Sequence, residues 1–166
     1  FRGRVVELGL EGCLDVVVGT LSKALGGMGG WVSGSRDLQA LLISAARPFL
    51  FTTAPPAAAA EASRAALRIC ASAEGEARRR RLWDSARSLR TGLGLPPGGS
   101  PITALPFQGI ARAGKVSLAL LRRGFFVAAL RPPTVAAGTS RLRISPSASH
   151  TSRQVQGLVR ALQELG

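Results

Sequence analysis

Apolar and polar positions in the first part of this chain alternate in patterns that predict a pair of strands followed by helices. Residues 14–18, which end in three β-branched valines, predict a strand buried on both faces, and the alternating segment over residues 31–35 predicts a second strand. Glycines at positions 29 and 30 can supply the turn of a hairpin between them. Ser35 is placed as the N-cap of a helix whose apolar residues recur at helical spacing: Leu38, Leu41 and Leu42.

Prolines and alanines set the pattern of the middle of the chain. Residues 47–56 contain three prolines, and we expect extended backbone before them because proline restricts the residue that precedes it. Pro56 is suited to the first position of a helix. The alanine-rich stretch over residues 57–68 predicts that helix, and helical spacing continues after Gly75 to about residue 93.

A cluster of glycines and prolines over residues 92–99 divides the chain, and we place the domain boundary between residues 94 and 95. Beyond it we predict strands over residues 100–107, 125–130 and 141–145, with a helix over 111–123 that ends at Gly124. Thr151 and Gln154 have the spacing of a capping box for a last helix. The order strand, helix, strand, strand, helix predicts a small α+β domain over residues 95–166.

Composition narrows the classes of protein that fit. The chain has 166 residues, a formal net charge of +13 and apolar runs too short to span a bilayer, so we expect no membrane segment. The charge suggests a nucleic-acid site, but only Lys23 and Lys115 among the 22 cationic residues are lysines, and tyrosine is absent. The densest cluster of arginines, residues 78–81, lies in a helical stretch, so we interpret it as a solvated helix face and expect no nucleic-acid partner.

Cysteine and histidine are too sparse for several kinds of site. Cys13 and Cys70 are far apart in sequence, and His150 is the one histidine. These residues supply neither a metal set nor a Ser-His-Asp arrangement, and two isolated cysteines fit a reducing cytoplasm. We therefore expect no metal site. A single histidine just before a helix is more often a structural hydrogen-bonding group than a catalyst.

Lys23 is the strongest candidate for chemistry. It follows the first predicted strand and precedes four glycines, at the strand end where open α/β sheets place their ligands. Shielded there by apolar packing, a lysine can stay neutral and attack a carbonyl such as the aldehyde of pyridoxal phosphate, forming a Schiff base. Taken alone, a loop lysine is more often a solvated surface charge.

Arginines and threonines supply further candidates. Arg141 and Arg143 fall on one face of a strand, and Arg131 stands before two prolines; guanidinium groups pair well with a carboxylate, although a solvated strand face is the simpler interpretation. Thr20, three residues before Lys23, can reach a phosphate on a ring held by that lysine. Thr52 and Thr53, just before two prolines, offer two more hydroxyls for the phosphate; the simpler interpretation is that they cap a turn.

Six motifs in this order resemble the α-oxoamine synthases, fold-type-I pyridoxal phosphate enzymes that join an amino acid to an acyl thioester with loss of carbon dioxide. The motifs are Gly19-Thr20-Leu21-Ser22-Lys23-Ala24, Gly29-Gly30-Trp31-Val32-Ser33-Gly34-Ser35, Phe49-Leu50-Phe51-Thr52-Thr53-Ala54-Pro55-Pro56, Arg131-Pro132-Pro133-Thr134-Val135, Gly138-Thr139-Ser140-Arg141-Leu142-Arg143 and Ser147-Ala148-Ser149-His150-Thr151. The resemblance implies an α/β fold: the C-terminal part of the large cofactor-binding domain with the interdomain helix, residues 1–94, and a small α+β C-terminal domain, residues 95–166.

The resemblance also implies a role for each matching residue. Lys23 would hold the cofactor and later transfer a proton, and Thr20 would bind its phosphate. Thr52, beside Thr53, would reach the phosphate in the other subunit of a homodimer. Arg143 would hold the amino-acid carboxylate. Two further residues would lie near the substrate: Arg131 and Thr134. Ala136 stands where the family usually has proline, so that loop would be less rigid.

Within the family, the motifs after residue 130 are most similar to the member that condenses L-alanine with a pimeloyl thioester in biotin biosynthesis. The open alternatives are glycine C-acetyltransferase, 5-aminolevulinate synthase and a non-catalytic remnant that serves in dimerisation or folding. The family's cofactor-pairing aspartate and ring-stacking histidine precede the lysine strand and have no counterpart in this sequence. We therefore expect this polypeptide to be inactive alone.

Overall fold

The computed structural model describes residues 3–165. The chain divides into two compact units, Phe1–Glu76 and Ala77–Gly166. None of the helices within residues 3–165 is long and apolar enough to cross a membrane. In chain order the elements are α1 (Arg4–Glu7), β1 (Val16–Thr20), β2 (Gly30–Gly34), α2 (Arg36–Ala45), α3 (Arg47–Leu50), α4 (Ala57–Ala71), α5 (Ala73–Gly92), β3 (Thr103–Pro106), α6 (Ile110–Arg122), β4 (Ala128–Leu130), β5 (Arg141–Ile144) and α7 (Ser152–Leu165).

The first unit is built on the predicted hairpin. β1 and β2 pair antiparallel, from Val16 opposite Gly34 to Thr20 opposite Gly30. The prediction that β1 is buried on both faces was wrong: its alternate residues are exposed, and Val18 retains 72% of its accessible surface. In the described chain β1 pairs with β2 alone, so burial is confined to the half-buried face of the strand.

Helix boundaries in the first unit follow local capping chemistry. Ser35 caps α2 as predicted, because its Oγ accepts a hydrogen bond from the Leu38 amide at 3.1 Å. The expectation of extended backbone before Pro48 was wrong, since Arg47 is the first residue of α3, whereas residues 53–56 before α4 are not helical. Pro48 lies in the first turn of α3, where its missing N–H costs no helical hydrogen bond. Pro56 is the N-cap of α4 rather than its first residue.

The second unit contains the hydrophobic core and has the predicted α+β character. Its antiparallel sheet has the order β3-β5-β4, so β5 is central. Leu142 and Ile144 of β5 are buried against apolar residues of α6 and α7, among them Leu120 and Leu162. Every buried hydrophobic side chain of the described residues lies in this unit.

The division between the units falls within the first turn of α5, at Glu76. The helix predicted to end near residue 93 ends at Gly92, and most of its length belongs to the second unit. The division at Glu76 reflects which residues pack together. It does not test the predicted domain boundary between residues 94 and 95, which stays a prediction.

Candidate active site

The loop between β1 and β2 presents Lys23 and is held in shape by backbone hydrogen bonds. The Leu21 amide donates to the Gly29 carbonyl at 3.0 Å, and the Gly27 amide donates to the Leu21 carbonyl at 2.8 Å. Gly26 and Gly29 have φ values of 62° and 90°, which side chains rarely adopt. The glycines therefore make possible a tight loop that doubles back beside the lysine.

Lys23 contacts Thr20 across this loop. Its Nζ donates a hydrogen bond to the Thr20 Oγ1 at 3.2 Å, so the two side chains lie side by side. Binding of a cofactor phosphate by Thr20 stays a prediction. Lys23 is exposed, and the expected apolar shielding of its amine is absent from the described part of the chain. The physical reason is that this loop connects the two strands of a two-stranded hairpin whose outer residues are themselves exposed.

This loop is held in place by two close contacts that were not predicted from sequence. A Cβ at Gly27 would lie 2.1 Å from the Oγ of Ser63 on α4, and a Cβ at Gly19 would lie 2.4 Å from the Trp31 ring. Ser63 is buried, and its hydroxyl donates to the Ala59 carbonyl at 2.9 Å. The register of the hairpin, Gly19 opposite Trp31, was the signal that could have revealed the second contact.

Thr52 and Thr53 lie in the segment between α3 and α4, and both are exposed. No described hydrogen bond joins either threonine to Lys23 or Thr20. Beside them the Arg47 guanidinium lies 5.3 Å from the centroid of the Phe51 ring. Phe49 and Phe51 are exposed by 65% and 74%, so the threonines are bordered by accessible aromatic surface.

In the second unit, Arg141 and Arg143 lie on the same face of β5, as predicted, opposite the face that Leu142 and Ile144 bury. Arg143 is exposed and pairs in register with Ala128 and Ala104. Arg141 is half-buried, and its Nε donates to the Thr139 carbonyl at 3.0 Å. Because its neighbours in the sheet are alanines and its own side chain is exposed, Arg143 is the more accessible partner for a carboxylate.

Arg131 and Thr134 form a turn just after β4. The Thr134 amide donates to the Arg131 carbonyl at 2.9 Å, and both side chains are exposed. β4 pairs with β5 through Ala128 opposite Arg143 and Leu130 opposite Arg141, and Arg131 is the first residue after β4. Arg131 thus lies three positions along the chain from Ala128, the β4 partner of Arg143, and no described contact joins Arg131 or Thr134 to Arg143.

His150 has a structural contact. Its Nδ1 accepts a hydrogen bond from the Ser147 amide at 3.0 Å, which closes the turn before α7. The predicted capping box follows directly: the Thr151 amide donates to the Gln154 Oε1 at 2.8 Å, and the Gln154 amide donates to the Thr151 Oγ1 at 3.3 Å. This is the hydrogen-bonding role expected of a lone histidine at that position.

The first unit presents a lysine on a glycine-rich hairpin loop, and the second unit has a small antiparallel sheet with exposed arginines. This arrangement matches a C-terminal portion of the fold-type-I pyridoxal phosphate enzymes. The chain belongs to the aminotransferase class I and II family, whose model matches residues 4–162. Its resemblance to the α-oxoamine synthases is confirmed by the relatives below.

The chain is similar to curated proteins named 8-amino-7-oxononanoate synthase. It is 44% identical to that of Anaeromyxobacter dehalogenans, over 98% of this chain and 42% of the relative. It is 46% identical to that of Methylococcus capsulatus, over 98% of this chain and 43% of the relative. The chain thus spans less than half the length of these relatives.

Solved structures agree on the fold. A serine palmitoyltransferase with its pyridoxal phosphate internal aldimine superposes with a TM-score of 0.92 at 34% identity, over 99% of this chain and 43% of that one. The 8-amino-7-oxononanoate synthase of Francisella tularensis superposes with a TM-score of 0.74 at 26% identity, over 92% of this chain and 44% of that one.

The family and these neighbours indicate pyridoxal phosphate as the cofactor, as predicted. The residues present fit it. An aldehyde needs an accessible primary amine, which Lys23 supplies, and a phosphate needs hydroxyl or amide donors, which Thr20 supplies within 3.2 Å of that amine. No Cβ built on Gly26 or Gly29 meets another atom within 4 Å, so space is open beside the loop.

Proposed function

We propose that this chain is part of an enzyme that condenses L-alanine with a pimeloyl thioester, on coenzyme A or a carrier protein, to give 8-amino-7-oxononanoate for biotin biosynthesis. A bond forms between the acyl carbon and the α-carbon of alanine while the thiol and carbon dioxide leave. The observation that carries the proposal is the Lys23–Thr20 contact in its accessible glycine loop. The names of relatives at 44% and 46% identity support the choice of substrates.

Lys23 holds the cofactor in this proposal and moves the proton at the α-carbon of the substrate. Bound pyridoxal phosphate supplies an electron sink for negative charge at that carbon. Thr20 binds the phosphate, and its hydrogen bond with Lys23 keeps the lysine amine beside the phosphate-binding hydroxyl. The backbone bonds of the Leu21–Gly27 turn restrict where that amine can lie.

Arg143 binds the carboxylate of alanine. A planar guanidinium offers two parallel donors to a carboxylate, which fixes the orientation of the bonds to the α-carbon. Arg131 and Thr134 line the approach of the substrate from the turn after β4. The rigid β5 supports this role, because Leu142, beside Arg143, is fully buried in the core.

Thr52 and Thr53 contribute to a neighbouring cofactor site in a cytoplasmic homodimer. The accessible aromatic surface of Phe49 and Phe51 beside them supports this part of the proposal, since exposed apolar residues of this size are typical of protein interfaces. The proposed domains are residues 1–94, the C-terminal part of the cofactor-binding large domain with the interdomain helix, and residues 95–166, the small α+β C-terminal domain.

A trapping experiment tests the lysine assignment. The protein is incubated with pyridoxal phosphate and reduced with borohydride, and the modified peptide is mapped by mass spectrometry. The chain has two lysines, so Lys115→Ala is the matched control for Lys23→Ala. We expect the adduct on Lys23, lost in Lys23→Ala and kept in Lys115→Ala; equal labelling of both lysines would contradict the proposal.

A substrate comparison tests the reaction. Condensation is measured in the whole enzyme with alanine, glycine and serine, each with pimeloyl and palmitoyl thioesters. Serine and palmitoyl thioester are included because serine palmitoyltransferase is a close structural match at a TM-score of 0.92. We expect alanine with the pimeloyl thioester to be preferred, and preference for glycine or serine would replace this reaction with that of another family member.

A further inference from the structure

The second unit, Ala77–Gly166, has too few acidic side chains to pair with its arginines. Fifteen of the 22 lysines and arginines lie in this unit, but only two of the nine acidic residues do. The second unit therefore carries the whole formal net charge of +13, and the first unit is balanced. Asp84 already forms an ion pair with Arg87. Glu164 forms one with Arg123, so no acidic side chain of this unit is left for another arginine.

Arg141 of β5 is an arginine that lacks such a partner. Its side chain is half-buried, and taking part of a guanidinium group out of water costs free energy unless a partner compensates. The Arg141 Nε donates to the Thr139 carbonyl at 3.0 Å, and in the described chain the two Nη groups have no hydrogen bond or ion pair. The open Nη groups present the two parallel donors that a carboxylate accepts.

The carbonyl that anchors Arg141 is itself fixed. The Thr139 amide and the Thr139 hydroxyl both donate to the Ala136 carbonyl, at 3.1 Å and 2.8 Å. Because this turn holds Thr139 and Thr139 holds the Arg141 Nε, the plane of the guanidinium group is restricted before any ligand arrives. Arg141 is therefore preorganised for an anion, whereas a freely rotating surface arginine is not.

The sheet places Arg141 between Arg143 and the start of the turn after β4. Along the β4–β5 ladder Arg143 is opposite Ala128 and Arg141 is opposite Leu130, and Arg131 follows Leu130 directly. Arg141 and Arg143 lie on the same face of β5, and their Cα atoms are about 7 Å apart along the strand. Two guanidinium groups thus stand side by side on the face that the proposed function assigns to the substrate.

We propose that Arg141 binds the free terminal carboxylate of the pimeloyl group and so selects an acyl substrate that ends in a carboxylate. This inference rests on the proposed function, in which Arg143 binds the carboxylate of alanine. Condensation joins the acyl carbon to the α-carbon of alanine, so the joined molecule has one carboxylate at that carbon and another at the far end of its methylene chain. Neighbouring guanidinium groups on one face can hold both ends.

The expected selectivity follows from the charge that Arg141 leaves unpaired. An acyl group without a terminal carboxylate would leave the half-buried Nη groups without a partner, and a site built around a polar group discriminates strongly against the analogue that lacks it. A hydrogen bond between charged groups changes an equilibrium by about tenfold to a hundredfold. We expect a preference of that size for the carboxylate-bearing substrate.

A comparison of two acyl substrates tests this role. Condensation with L-alanine is measured in the whole enzyme with the pimeloyl and heptanoyl thioesters of coenzyme A, which have the same chain length and differ in the terminal carboxylate. We expect the wild-type enzyme to prefer the pimeloyl thioester in kcat/KM by about tenfold or more. In Arg141→Gln the pimeloyl value should fall by about that factor, mainly through KM, while the heptanoyl value stays unchanged. An equal loss with both thioesters would make the role of Arg141 structural and overturn the proposal.

Three further variants separate the possible causes. We expect Arg143→Gln to raise the KM for alanine and to keep the preference for the pimeloyl thioester; loss of that preference in Arg143→Gln alone would overturn the assignment. Arg153→Gln is the matched control for net charge, because Arg153 is an exposed arginine of α7, and an equal effect there would also overturn it. Arg141→Lys retains the charge without the planar fork, so partial rescue is expected.

The outcomes for this inference and for the proposed function are distinguishable. Turnover of the heptanoyl thioester and circular dichroism show whether each variant is folded. If the wild-type enzyme condensed neither thioester with alanine, the proposed function would be overturned, and this inference with it. If the wild-type enzyme used both thioesters equally well, the role of Arg141 alone would be overturned and the condensation reaction would stand.

Discussion

Gly27 shows how one missing side chain holds the candidate lysine loop in place. A Cβ at this position would lie 2.1 Å from the Oγ of Ser63, which is buried and bonded within α4. We expect Gly27→Ala to lower the free energy of unfolding by about 1–3 kcal/mol through overpacking, and to weaken cofactor binding as the loop shifts. Chemical denaturation and a pyridoxal phosphate titration measure the two effects.

A second substitution isolates the cause. Ser63→Ala removes the hydroxyl and leaves its Cβ at 3.3 Å from the built Gly27 Cβ, a distance the neighbours can absorb with a small shift. We therefore expect Ser63→Ala to restore most of the stability lost in Gly27→Ala. A double variant as unstable as Gly27→Ala would show that the loop is disturbed by something other than this contact.

At the scale of elements, two helical glycines predict opposite outcomes for the same substitution. A Cβ at Gly114 of α6 meets no atom within 4 Å, so we expect Gly114→Ala to stabilise the second unit by about 0.5–1 kcal/mol. At Gly92, the last residue of α5, a Cβ would lie 2.8 Å from Val159 of α7. Gly92→Ala is thus the matched control and should destabilise; thermal unfolding of both variants compares them.

Elements with strong local signals were predictable from sequence. Ser35, Thr151 and Gly124 marked helix ends because caps and positive φ depend on nearby residues alone. The burial of β1 was not predictable in this way, since a run of three valines gives no information on which of its faces a neighbour covers. For the same reason Ser63 went unnoticed: its contact with Gly27 spans 36 positions of sequence.

The candidate site was predictable only as far as its chemistry is local. Thr20 and Lys23 are three residues apart, so their proximity followed from sequence, although the hydrogen bond between them was not predicted. Arg141 and Arg143 shared a face because strands alternate. The exposed state of Lys23 was missed, because shielding depends on residues distant in the chain rather than on the apolar character of β1.

For the whole molecule, unequal charge between the units predicts a response to salt. The second unit has fifteen cationic residues and only two acidic ones, so its cationic residues repel one another, and added sodium chloride screens that repulsion. We expect amides of α6 and α7 to exchange hydrogen more slowly at high salt, with stability raised by roughly 0.5–1 kcal/mol. Amides of the β1–β2 hairpin, in the balanced unit, are the internal control, and an equal change there would contradict the charge explanation.

The packing of Trp31 over Gly19 also provides an optical reporter. The chain has two tryptophans, Trp31 in the first unit and Trp83 in the second. In a Trp83→Phe variant, all indole fluorescence arises from Trp31 of β2, which pairs with Gly19, the residue before Thr20. Quenching of that emission on addition of pyridoxal phosphate would then follow ligand arrival at the hairpin in real time, without any added dye.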